Sequence, residues 1–472
     1  LAGGDLNEDG HSELFISLPD ADLLGQWEAG LIKAYQWNSL PNSEDDSMPE
    51  ALKTITEKPQ SSSFLGSAIL SQTESENDIH SKTTKIILGR LGYTDQSENI
   101  YEHNEGALYL VSERFLAPSD PISINGQSKN AQLGTAITQT SDLDGDKILD
   151  LLVSEPDAVC HKSGVLSGMI SLYSVGKEAF TSHICAEPQA ILGKSLSSLY
   201  LANDGRNEII FSGKDRLYFL DESEFFTRLS QDSYNEDEYI NPFDNSNSFY
   251  FSDRDEENSL LLISDPNSKN DYEVFEKQIN NGAVYVYNIE DRDDYQCVLN
   301  GTVKNGFLGA SASFLPDLNN DNIKEIAVGA PGEGTCGKVH IIDGEKCKNG
   351  NYLEVEAGMS NLLKTFSCDD SFIQTALNRK ALSSFGMRVL GLPDYDGASD
   401  SSSLAYLLVT NNNYELENQS NNSPEYFIFK LNVSEEDEDI NITASILRHK
   451  VGARGSKLGS YVKLIGDVNG DS

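Results

Sequence analysis

The chain has 472 residues, 38% of them hydrophobic, with 20 Tyr and 19 Phe, a composition that excludes a disordered polymer. Its 75 acidic residues against 35 basic ones give a formal net charge of −40 and leave no basic patch, which excludes nucleic acid as a partner. No run of eighteen apolar residues occurs, so no transmembrane segment is expected.

An apolar residue followed by glycine punctuates the sequence at Leu65-Gly66, Leu133-Gly134, Leu192-Gly193, Leu308-Gly309, Phe385-Gly386 and Leu458-Gly459. Successive glycines are 68, 59, 116, 77 and 73 residues apart, and 116 is twice 58, so one marker is missing from an otherwise regular repeat. The first repeat (1–60) holds the acidic cluster 5–13, the apolar run Leu14-Phe15-Ile16 and a second β-prone segment at 30–35. The second (61–125) has runs at 86–88 and 106–111, and a damaged cluster at Glu74, Glu76 and Asp78 with Lys82 in the last donor's place. The third (126–187) has the cluster 142–150, then runs at 151–153 and 168–173. The fourth (188–228) keeps only the remnant Asn203-Asp204-Gly205, with runs at 209–211 and 216–220. The fifth (229–300), which has lost its marker, has runs at 260–263 and 282–287. The sixth (301–378) has the cluster 317–325 and runs at 326–328 and 337–342. The seventh (379–452) has Asp394 and Asp396, then runs at 404–409 and 426–431. Residues 453–472 begin a further repeat or supply a ring-closing strand, with Asp467, Asn469 and Asp471 opening one more cluster.

The runs are short, β-prone and bounded by turn residues, and no segment carries a helical stripe. Seven such units predict an all-β fold, a seven-bladed β-propeller of four-stranded antiparallel blades forming a single domain over 1–472. Polar stretches at 40–60, 230–258 and 411–425 are read as long loops between strands. Gly134, Gly309, Gly386 and Gly459 each precede an aspartate by eight residues; the same offset back from Asp5 falls before residue 1, so a segment of a longer chain is expected.

Three acidic clusters are complete, with oxygen donors at positions 1, 3, 5 and 9 and a backbone carbonyl on offer at position 7. They are Asp5, Asn7, Asp9, His11 and Glu13; Asp142, Asp144, Asp146, Ile148 and Asp150; and Asp317, Asn319, Asp321, Ile323 and Glu325. A tight turn that gathers hard oxygen donors suits Ca²⁺, whereas Zn²⁺ calls for His or Cys. The closing carboxylate comes at position nine and leads into a strand, which argues against an EF-hand.

Asn300, Asn418, Asn421, Asn432 and Asn441 head glycosylation triplets, and with the even cysteine count they point to an extracellular or secretory-pathway chain. Of the fifteen pairings open to six cysteines, Cys336 with Cys347 across one strand is the first expectation, then Cys160 with Cys185, leaving Cys297 with Cys368. Catalytic patterns are absent: the glycines at 332, 334 and 337 lead into a strand and read as a hairpin turn, and the seven histidines read as surface or loop residues.

Phe307-Leu308-Gly309, the cluster 317–325 and Gly329-Ala330-Pro331 together resemble the FG-GAP repeat, with weaker matches at Ser17-Leu18-Pro19, Ser154-Glu155-Pro156 and Ser264-Asp265-Pro266. That repeat builds the head of integrin α subunits and the C-terminal region of glycosylphosphatidylinositol-specific phospholipase D, and the resemblance covers essentially the whole chain. It implies calcium loops that rigidify blades on one face, and a protein, glycan or glycolipid ligand on the other. The function implied is an adhesion or scaffolding module, or alternatively the non-catalytic propeller of a secreted phospholipase D-type hydrolase.

Overall fold

Seven antiparallel sheets succeed one another among the described residues of the computed structural model. These residues are 2–4, 13–18, 21–22, 25–36, 51, 53–56, 64–75, 82–90, 92, 106–111, 122–126, 130–159, 166–185, 191–201, 206–213, 217–222, 239–240, 250–255, 259–268, 280–288, 295–347, 351–356, 358–373, 384–392, 404–411, 424–436, 439–451 and 462. The first sheet pairs Ala2–Gly4, Glu13–Leu18, Leu31–Gln36 and Lys53–Ile55, and the second pairs Leu65–Ser75, Lys82–Arg90, Ala107–Val111 and Ile122–Asn125. The third holds Ile137–Gln139, Leu151–Glu155, Met169–Ser174 and Ala179–Cys185; the fourth holds Leu196–Leu201, Arg206–Ser212, Leu217–Asp221 and Tyr239–Ile240. The fifth contains Tyr250–Asp255, Leu260–Asp265, Ala283–Asn288 and Tyr295–Gly301, extended by the parallel strand Asn351–Val355. The sixth contains Ser311–Phe314, Ile326–Ala330, Lys338–Ile342 and Leu362–Ser367, and the seventh Phe385–Leu392, Leu404–Asn411, Glu425–Glu436 and Asp439–Val451.

Every apolar run read from the sequence lies in a second or third strand. The stretch 230–258 is not wholly loop: it carries Tyr239–Ile240 and Tyr250–Asp255, the outer strand of the fourth sheet and the first of the fifth. Its polar side chains serve the sheet. Asp253 Oδ2 accepts from Ser313 Oγ (2.6 Å) and from Phe314 N (2.8 Å) of the sixth sheet.

The chain divides into two compact units, Leu1–Asn241 with Ile465–Ser472, and Pro242–Leu464. Within the first unit, cores form between consecutive sheets. Ile86 and Leu88 pack with Phe15 and Ile32 of the first sheet, while Ile87 between them packs with Leu151 and Val153 of the third. Leu152 in turn packs with Ile209 and Phe211 of the fourth. Alternate residues thus serve opposite faces, and burial on both faces makes these strands read as unbroken apolar runs. In the second unit Val328 joins the core with the fifth sheet, and Ala327 the core with Phe385 and Phe427 of the seventh.

The repeated glycine marker is the junction between such sheets. Leu192, fully buried, donates its N–H to Ser167 O (3.1 Å) and bridges in parallel to Gly168 of the preceding sheet. A Cβ on Gly168, at φ 76°, would lie 2.2 Å from Leu192 N, so only glycine fits. Leu133 meets Gly106 and Leu308 meets Gly282 in the same parallel bridge, and Phe385 N donates to Cys336 O (2.9 Å).

Two of the three expected disulfide pairs are exchanged. Cys297 bonds Cys347 and Cys336 bonds Cys368, with Cα atoms 5.1 and 6.0 Å apart. Cys336 and Cys347 cannot meet, because the five extended residues between them, Lys338–Ile342, span roughly 17 Å, beyond a disulfide's reach. Lys338 instead pairs with Ser367, which brings the flanking Cys336 and Cys368 together. Cys185 is disulfide-bonded, and Cys160 lies outside the described residues.

Candidate metal centre

Two of the three complete acidic loops are described, and they fold alike. In the third sheet the loop 142–150 runs from Ile137–Gln139 into Leu151–Glu155 with no helix. Asp142 Oδ1 accepts from Asp146 N (3.1 Å) and Oδ2 from Lys147 N (2.7 Å). Asp144 Oδ1 accepts from Asp146 N (3.3 Å), Asp146 Oδ1 from Ile148 N (2.8 Å), and Asp150 Oδ2 from Leu143 N (2.9 Å). The loop 317–325 of the sixth sheet repeats each contact. Asp317 accepts from Asp321 N (3.2 Å) and Asn322 N (2.7 Å), and Asn319 Oδ1 accepts from Asp321 N (3.1 Å). Asp321 Oδ1 accepts from Ile323 N (2.8 Å), and Glu325 Oε2 accepts from Leu318 N. Position 6 is left-handed in both, at Lys147 (φ 74°) and Asn322 (φ 66°).

These bonds aim carboxylates inward at one another. Oxygens of Asp142, Asp144 and Asp146 lie within 4.8 Å of each other, as do those of Asp317, Asp321 and Glu325. Like charges at that range repel by about 1 to 3 kcal/mol per pair between aqueous and protein-surface dielectrics. Asp150 and Glu325 are fully buried, and Asp150 Oδ1 and Glu325 Oε1 have no hydrogen-bond partner. Loss of solvation, then the neighbouring carboxylates, push Asp150 up to about 6 and Glu325 up to about 8. A buried, partnerless acceptor beside converging carboxylates is what a bound cation satisfies, and an all-oxygen donor set fits a hard one. Calcium would be held by Asp142, Asp144, Asp146, Asp150 and the Ile148 carbonyl, and by Asp317, Asn319, Asp321, Glu325 and the Ile323 carbonyl.

Both loops are anchored to an adjacent sheet. Glu222 Oε1, following the fourth sheet's third strand, accepts from Ser141 N (2.9 Å) and from Thr140 Oγ1. Lys324 Nζ reaches the buried Asp255 of the fifth sheet at 2.6 Å. In the third sheet, the hairpin after Met169–Ser174 also leans on its loop. A Cβ on Gly176 would lie 2.1 Å from Asp146 Oδ2, and Lys177 Nζ stands 2.7 Å from Asp144 Oδ2. The lysine's hydrogen bond holds Asp144 below the usual carboxylate range.

The other expected ligands are not brought together within the described residues. Glu13 heads the strand Glu13–Leu18, while Asp5, Asn7, Asp9, His11, Asp394, Asp396, Asp467, Asn469 and Asp471 lie outside them. Asn432 and Asn441 are exposed on neighbouring strands, each opposite the hydroxyl residue of the other's triplet (Asn432 with Thr443, Ser434 with Asn441). Asn300 is 7% exposed inside the fifth sheet, where a glycan has no space; Asn418 and Asn421 lie outside the described residues. The glycines at 332, 334 and 337 lie in the turn between Ile326–Ala330 and Lys338–Ile342. His340, expected at the surface, is fully buried, with Nδ1 3.0 Å from Thr365 Oγ1 and Nε2 3.2 Å from Glu333 Oε2. No long apolar helix capable of crossing a membrane occurs among the described residues. A scan against protein-family models matches none, and a search among curated proteins finds no match.

Proposed function

We propose that the chain is an extracellular, calcium-stabilised β-propeller, its seven sheets acting as blades, which serves as a binding or scaffolding module. The observation that carries the reading is one loop built twice, each copy ending in a buried carboxylate with one partnerless oxygen. Calcium takes no part in chemistry here. It cancels repulsion among the loop carboxylates and fixes the loop between the first and second strands of its blade. The faces of such blades are then rigid enough to present a protein, glycan or glycolipid ligand. Two disulfides in the second unit agree with an oxidising compartment.

Thermal unfolding with and without chelator tests the reading. Saturating calcium at a hundredfold excess over Kd contributes about 2.7 kcal/mol per site. Chelation should therefore lower Tm, and magnesium should restore it poorly because it prefers a tighter octahedral shell. Asp144→Ala and Asp321→Ala should each abolish part of the calcium response, roughly additively. A melting curve unmoved by chelator means that the loops are ordinary turns.

A further inference from the structure

The two loops differ in one respect that bears on the cation. In the third sheet an ammonium group already sits on a carboxylate of the expected donor set: Lys177 Nζ is 2.7 Å from Asp144 Oδ2. Lys177 is placed there by its hairpin. Its N–H is bonded to Ser174 Oγ (3.2 Å), Ser174 Oγ lies 3.4 Å from Asp146 Oδ2, and Gly176 leaves no gap against Asp146. Among the described residues around the sixth-sheet loop, the ammonium groups of Lys324 and Lys346 pair with carboxylates outside its expected donor set. Lys324 Nζ is bonded to Asp255 at 2.6 Å, and Lys346 Nζ stands 3.7 Å from Asp343 Oδ2 and 4.0 Å from Glu345.

From this contrast, and resting on the calcium reading above, we infer that Lys177 is a tethered competitor of calcium, making the third-sheet loop the weaker of the two sites. An ammonium and a divalent cation on one carboxylate oxygen stand only a few ångströms apart, and their like charges repel. Calcium must displace Nζ before Asp144 can coordinate fully, so the apparent affinity falls by the fraction of time that the ion pair is open. Lys177 is half exposed, at 53%, so water and salt screen the pair and displacement stays feasible. The effect is a graded weakening and not a block. In calcium-free protein the same ammonium neutralises one carboxylate of the cluster, so the third loop tolerates metal loss better than the sixth. Calcium would then fill the sixth-sheet loop first.

Calorimetric calcium titration of the full chain tests this in two backgrounds, Asp321→Ala to silence the sixth-sheet loop and Asp144→Ala to silence the third. Lys177→Gln should tighten calcium binding about three- to tenfold in the Asp321→Ala background, in line with the tuning of such sites by ligand charge. It should leave affinity unchanged in the Asp144→Ala background. Lys177→Arg, which keeps the charge, should stay near the parent, and Lys177→Gln should lower Tm in chelator. Calcium binding that Lys177→Gln leaves unchanged in both backgrounds overturns the competitor role and leaves the calcium reading intact. Absence of calcium heat in the parent chain overturns both.

Discussion

Asp150 and Glu325 each have one carboxylate oxygen bonded to a backbone N–H and one facing other carboxylates. An amide in their place keeps the shape and the acceptor but removes the charge. With calcium present, Asp150→Asn and Glu325→Gln should lower stability, because a charged ligand is lost. In chelator the same variants should match or exceed the parent, because no buried charge is left uncompensated. Paired denaturant titrations with and without calcium check this crossover, and an amide that destabilises equally in both marks a purely structural acid. Asp253 supplies a pH test away from the acidic loops. Burial pushes it above its ordinary value of 3.8, although Ser313 and Phe314 partly oppose the shift. A carboxyl raised on folding favours the folded state at low pH, and that contribution is lost as pH rises through the folded value. Asp253→Asn should therefore flatten the fall in Tm on going upward from about pH 4. The converging carboxylates of the loops 142–150 and 317–325 were legible at this scale because their spacing is a chemical pattern. The orphan oxygens and Lys177 were not, since Lys177 lies 33 residues beyond Asp144 and only the hairpin fold joins them.

Among elements, the glycine junctions decide how one sheet follows the next. Gly168 and Gly145 have similar backbones, φ 76° and 81°, but a Cβ at Gly168 meets Leu192 N at 2.2 Å whereas one at Gly145 meets nothing within 4 Å. Gly145→Ala should cost only the left-handed penalty, about 1 kcal/mol. Gly168→Ala adds a backbone clash at a sheet junction and should cost about 3 kcal/mol or more. Urea denaturation of the two variants separates conformational from packing demands. The second and third strands were legible because burial on both faces makes them uniformly apolar. Outer strands such as Ala179–Cys185, with mixed exposure, carry too little pattern. The expected Cys336–Cys347 pair fails for a related reason: nearness in sequence suggests a local bridge, but an intervening extended strand holds its two ends apart.

For the whole molecule, a net charge of −40 means that self-repulsion opposes compaction everywhere. Sodium chloride should therefore raise Tm even in chelator, as the screening length shrinks from about 30 Å at 10 mM to below 8 Å at 0.5 M. Millimolar calcium barely alters ionic strength, so any stabilisation that it adds at fixed salt measures specific binding. A Tm that responds identically to calcium and to sodium at matched ionic strength assigns the whole effect to screening. The repeat period made the succession of sheets legible, because at the described markers Gly66, Gly134, Gly193, Gly309 and Gly386 a Cβ would strike the preceding sheet.

The strand Asn351–Val355 lies between the third and fourth strands of the sixth sheet in sequence, yet it hydrogen-bonds to the outer edge of the fifth. During synthesis, the fifth sheet therefore waits at its Tyr295–Gly301 edge until residue 355 has emerged, by which time most of the sixth has been made. That edge is an open template for any passing strand in the interval, and covering it removes the hazard. Because the borrowed strand is drawn from the connection between Lys338–Ile342 and Leu362–Ser367, completing the fifth sheet ties down the segment that leads into the sixth sheet's last strand. Pulse proteolysis of nascent chains should then show the two gaining protection together, with chains halted before residue 351 still cleavable in both.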